Sequence, residues 1–124
     1  MEMRQLDKNN VEITLRGHEP NLYAHAGLTW GRHPFRLAKL LARMEFEGLS
    51  NMPEEEVQIT TELPVKSLEL IEDGLRQEAR RLEKFPDPAI IIPDIPDAVP
   101  VMYQMSDDIL RYRKSIGAMV LDNA

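Results

Sequence analysis

The stretch from Phe85 to Met105, FPDPAIIIPDIPDAVPVMYQM, constrains this chain more than any other. It holds five of the nine prolines and no glycine, and between the prolines stand Ile90, Ile91, Ile92, Ile95, Val99, Val101 and Met102. Proline fixes φ and removes an amide donor, so the run predicts neither a helix interior nor a central strand. A flexible linker would be rich in Gly and Ser and poor in aliphatics. Here the composition is the reverse, and the aliphatic side chains still need burial. The segment therefore reads as an extended arm, residues 86–105. It would lay Ile90, Ile91, Ile92, Ile95, Val99, Val101 and Tyr103 on another surface, either of its own domain or of another chain.

The remaining 1–85 and 106–124 are read with that arm as one domain, since 124 residues suit a single modest core. An apolar content of 43% and a charged content of 29% are ordinary for a globular chain. With no cysteine there is neither a disulfide nor a thiol nucleophile or thiolate ligand. That fits a cytoplasmic or virion-associated protein. The opening MEMRQLDKNN has no apolar h-region, so no signal peptide is expected, and no apolar run is long enough to span a bilayer. The net charge of −6 is uneven. Residues 51–100 carry five Lys/Arg against twelve Asp/Glu, whereas residues 1–50 carry seven against six. An acidic middle repels nucleic acid and otherwise reads as a solvated surface.

Periodicity supplies the elements. Val11, Ile13 and Leu15 alternate with Glu12, Thr14 and Arg16, which predicts a half-buried strand. Asp7-Lys8-Asn9-Asn10 is turn chemistry, so residues 1–16 form a hairpin that must pack on something. Residues 21–31 fit one or two helical turns or a loop, with Leu22, Tyr23, Leu28 and Trp30 in the core. A helix over 34–47 follows from Leu37, Leu40, Leu41 and Met44, and Gly48 stops it. Val57-Gln58-Ile59-Thr60 fits a strand or a helical piece. A longer helix over 64–84 carries the stripe Leu68, Ile71, Leu75, Ala79 and Leu82 and ends at Pro86. Gly74 inside it suggests close approach of another element, and Glu72 and Arg76 form an i,i+4 pair on its outer side. The last helix is expected over about 107–121, capped by Ser106, with Asp107 and Asp108 at the positive end of its dipole. Its apolar residues cover more than one face. Leu110 and Leu121 lie off the main stripe and are assigned to a partner. The expected fold is α+β, an N-terminal β-hairpin packed on about three helices with the arm before the last.

Three constellations could carry chemistry. Arg32, Arg36, Lys39 and Arg43 recur at i, i+4, i+7 and i+11, within a helical stripe of roughly 60°. Such a stripe grips phosphates or an acidic partner, or else pairs with the acidic middle, for example Glu54-Glu55-Glu56. Residues 59–70 have the apolar spacing of a helix-turn-helix. However, Pro64 occupies the turn position that glycine normally takes, and Glu69, Glu72 and Asp73 would face phosphates. His18, His25 and His33, with Glu19, match no metal-ligand spacing, so no metal is assigned.

No nucleophile elbow, phosphate-cradling loop or dinucleotide fingerprint is present, and no catalytic residue or cofactor is assigned. Asp94 and Asp97 serve turn formation beside proline more readily than acid–base work. The expected function is a non-enzymatic interaction or assembly subunit of a homo-oligomer or larger complex, such as a viral particle. Its partner would be a protein or a second copy, with nucleic acid disfavoured and no membrane. The alternatives are a small regulator or inhibitor that binds a protein or nucleic-acid machine through the basic stripe or the acidic middle, and a small enzyme using His25, His33 or the Asp94/Asp97 pair.

Overall fold

The computed structural model describes residues 1–85 and 98–122, with side chains up to residue 117. The alternation at Val11 to Leu15 produces the strand its period requires. β1 (Glu2–Gln5) and β2 (Asn10–Arg16) form the N-terminal hairpin. Asp7 makes its turn, accepting the backbone N–H of Asn9 at 2.8 Å and of Asn10 at 2.9 Å. The Asn9 amide first, and the Asn10 side chain next, hold the Asp7 carboxyl below its usual range. Gly17, at φ +62°, ends the pairing and turns the chain into α1 (Glu19–Trp30). Pro20, in the first turn of α1, loses no hydrogen bond there. The segment that allowed helix or loop is thus a full helix. Leu22 and Tyr23 are buried, but Leu28 and Trp30 are exposed, contrary to their expected place in the core.

α2 (Leu37–Phe46) begins three residues later than its apolar spacing suggests and stops at Gly48, which adopts φ +68°. Two single 3-10 turns, Leu49–Asn51 and Glu54–Glu56, lead into β3 (Gln58–Pro64). β3 pairs antiparallel with β2 and completes the sheet order β1-β2-β3. The register sets Val11 opposite Leu63, Ile13 opposite Thr61 and Leu15 opposite Ile59, all six buried on one face. Residues 59–63 are strand, so the helix-turn-helix spacing lacks its first helix. Arg43 from α2 donates to the Thr60 carbonyl of this edge strand.

A 3-10 turn, Val65–Ser67, runs into α3 (Leu68–Lys84). The stripe Leu68, Ile71, Leu75, Ala79 and Leu82 is buried as its spacing demands. α4 (Ala98–Asp122) lies along α3. It starts about nine residues earlier than expected, so residues 98–105 of the anticipated extended arm are helical. Pro100 is tolerated because it falls in the first turn, where the amide has no intrahelical acceptor. Met102, Met105, Ser106 and Ile109, at i, i+3, i+4 and i+7, form its buried seam with Ala98. Ser106 is therefore no cap. It is interior and donates to the Glu72 carbonyl at 2.9 Å.

Asp107 and Asp108 also have other work than capping. Asp107 pairs with Arg76 at 3.0 Å, and Asp108 pairs with Arg111. The Glu72–Arg76 pair exists, at 3.2 Å, but not on an outer face. Glu72 is buried and is shared with Arg113 of α4 at 2.5 Å. A single core joins the sheet face to all four helices, an α+β fold. Among the described residues no helix is long and apolar enough to cross a membrane.

Candidate docking groove

Phe35 decides the shape of the surface between α1 and α2. After Trp30 the chain folds back through short bonds, Gly31 N–H to the Gly27 carbonyl at 3.0 Å and Arg36 N–H to the His33 carbonyl at 3.0 Å. This brings Phe35 inward until it is 1% exposed. Its ring lies 4.8 Å from the Tyr23 ring, tilted by 54°, and the Tyr23 hydroxyl donates to the Phe35 carbonyl at 2.8 Å. Two glycines make the slot. A Cβ on Gly27 would stand 3.0 Å from Phe35 Cγ, and one on Gly74 would stand 3.1 Å from Phe35 Cζ. Gly74 costs α3 about 1 kcal/mol of helix propensity relative to alanine. The close approach expected of it is the insertion of Phe35. Burial pushes the Tyr23 phenol well above its usual range.

With Phe35 anchored on the inside, Arg32, His33 and Arg36 are left exposed on the outside. They line a groove of about 880 Å³ together with Leu28 of α1, Leu37, Ala38, Lys39 and Leu41 of α2, and Pro64, Lys66, Ser67 and Leu70 at the β3–α3 junction. Its apolar part is solvent-exposed: Leu28 by 48%, Leu41 by 39% and Leu70 by 57%. Single exposed leucines are ordinary on a protein surface, whereas these three share one depression.

The charge is one-sided. Among the described residues, Arg32, Arg36, Lys39 and Lys66 line the groove and no Asp or Glu does. None of these four cations forms an ion pair with a described residue. Glu54, foreseen as their counter-charge, lies 3.1 Å from His18 instead. Arg36 also occupies the left-handed region, at φ 51° and ψ 44°. That conformation costs a non-glycine residue roughly 1–2 kcal/mol.

The structure divides the residues singled out by sequence. Arg32, Arg36 and Lys39 meet at the groove, although only Lys39 lies within α2. Arg43 lies outside the groove, spent on the Thr60 carbonyl. Val99, Val101 and Tyr103 do not belong to a free arm. They are half-buried in the first turns of α4 against their own core, with the Tyr103 hydroxyl donating to Glu83 at 2.9 Å. Leu110 is half-buried, and nothing among the described residues approaches Gly117. Ile90, Ile91, Ile92 and Ile95, with Asp94 and Asp97, lie outside the described residues, as does the side chain of Leu121.

His25 and His33 are not brought together. His33 lines the groove, while His25 sits at the α1–α3 seam with Nε2 3.2 Å from the fully buried Glu78, which also takes Arg81. Among the described residues no cluster of His, Asp and Glu could hold a metal ion.

From the sequence, Lys66 and Leu70 belong to no expected site and Leu28 belongs to the core, because all three reach the groove only through tertiary folding. Phe35 went unnoticed because it lies between helices, where no periodicity applies. Its one sequence trace is the pair of helix-interior glycines that make room for it. No family model matches the chain, and comparison with curated proteins and with solved structures finds no match at either level.

Proposed function

We propose that this protein is a non-enzymatic interaction subunit that assembles, with itself or in a larger complex, by docking a partner in the groove. One observation carries the reading: three exposed leucines sit in a depression lined by four cations that have no counter-charge among the described residues. Interfaces combine an apolar centre that supplies affinity with a charged rim that selects and steers the partner. The groove has both, and Arg36 holds its guanidinium there at a conformational cost. A protein partner fits better than nucleic acid, because among the described residues no Phe, Tyr or Trp lines the groove for base stacking and the chain is acidic overall. An enzyme fits less well, because among the described residues no carboxylate lines the groove to orient His33.

The test is light scattering over a concentration series for the wild type and for Leu41→Glu with Leu70→Glu. Both leucines are exposed, so melting should shift by no more than a few degrees. The wild type is expected to associate, more strongly at low salt, and the double variant to remain monomeric. Association that survives both glutamates would remove the groove as its basis. A wild type that is monomeric at every concentration would favour the regulator of a foreign protein over self-assembly.

A further inference from the structure

The groove asks for an occupant that is apolar and anionic, and the chain contains such a stretch. Residues 86–97, PDPAIIIPDIPD, carry Asp87, Asp94 and Asp97 and no cation, with Ile90, Ile91, Ile92 and Ile95 between them. Three carboxylates and four isoleucines match four cations and a floor of leucines. The prolines restrict the free segment, so less conformational entropy is lost when it is bound.

Reach decides which copy supplies the segment. It leaves from the C-terminal end of α3 and returns at the N-terminal end of α4. Those two ends lie together, since Tyr103 of α4 bonds Glu83 while Arg113 lies 3.6 Å from Glu69 at the other end. The groove is at the opposite end of α3, at Lys66 and Leu70. From Leu70 to Phe85 the helix rises about 22 Å. A path there and back takes about 45 Å, the whole fully extended length of the thirteen residue steps from Phe85 to Ala98. No residue would remain to lie in the groove. Resting on the groove as the docking surface, we infer that residues 86–97 of one copy bind the groove of a second copy. The groove of its own copy is out of its reach. Its isoleucines meet Leu28, Leu41 and Leu70, and its aspartates meet Arg36, Lys39 and Lys66.

A charge exchange between two full-length variants tests this. In the first, Arg36→Glu, Lys39→Glu and Lys66→Glu together leave one cation and three carboxylates, which reverses the groove. In the second, Asp94→Lys with Asp97→Lys reverses the arm. Circular dichroism and melting check that both fold. Arg36→Gly, which relieves the left-handed backbone, is a second way to remove one groove cation without straining the fold.

The wild type is expected to associate in sedimentation velocity runs at low salt. Each reversed variant should associate at least tenfold more weakly, and Arg36→Gly should weaken association while leaving melting unchanged or raised. An equimolar mixture of the two reversed variants should recover association, because each arm then faces a groove of opposite charge. If the wild type associates and both reversed variants keep its mass, or their mixture recovers nothing, the inference is overturned. It is likewise overturned by a wild type that stays monomeric. Where the wild type associates but the charge exchange fails, loss of association in Leu41→Glu with Leu70→Glu would still support the groove as a docking surface. If that variant also associates normally, the groove reading fails with it.

Discussion

Tyr23 shows how much one side chain settles here. Its ring packs on Phe35 and its hydroxyl fixes the Phe35 carbonyl, so the loop that displays Arg32 and Arg36 depends on it. Its buried phenol keeps its proton in the folded state well beyond the usual tyrosine range, whereas in the unfolded chain it titrates near the usual ~10. Above pH ~10 the unfolded state therefore binds fewer protons than the folded one. Stability from this group is complete below that pH and declines as pH rises, by up to about 1.4 kcal/mol per unit. Tyr23→Phe should lose about 1 kcal/mol at neutral pH with the hydrogen bond. Its alkaline decline should be flatter. Urea unfolding of both proteins between pH 7 and pH 11 checks this, and parallel curves would contradict it.

At the scale of elements, the α1–α3 contact is set by glycine. Gly74→Ala gains helix propensity of about 1 kcal/mol, yet the new methyl would meet the Phe35 ring end-on at 3.1 Å. That ring cannot retreat, because Gly27 holds its other edge as tightly and Tyr23 holds its backbone. Overpacking of this kind costs about 1–3 kcal/mol, so the variant should melt lower than the wild type. A raised melting temperature would show that the slot has slack.

The same scale explains what could be read in advance. β2 and α3 follow strict periods of two and 3.6, each with one buried face, and their core residues were legible one by one. α4 was read from Ser106 onward because Pro100 looked like a barrier, and because Ser-Asp-Asp resembles a cap. In fact the seam Met102, Met105, Ser106 and Ile109 runs straight through that false start. Proline excludes a helix interior but not a first turn, and a serine that would cap a helix can equally bond across to a neighbouring helix.

For the molecule as a whole, sequence reading reached the class of fold and half of the groove. A basic stripe was visible at helical spacing. Its apolar floor was not, since Leu28, Leu41 and Leu70 belong to three different helices and two of them looked like core. Nor could spacing foresee that Arg43 is consumed by an edge strand while Lys66 takes a place at the rim. Exposed apolar surface is a property of the assembled layers and not of any one element.

The central claim is that this groove is where the protein docks its partner, and hydrogen exchange locates docking without any mutation. Backbone amides would be followed at a concentration where the chain is monomeric and at one where it is associated. The account predicts slowed exchange on association in residues 32–41 and 64–70. Equal exchange in those two stretches, with the slowing confined to β1 or to the outer side of α4, would contradict it.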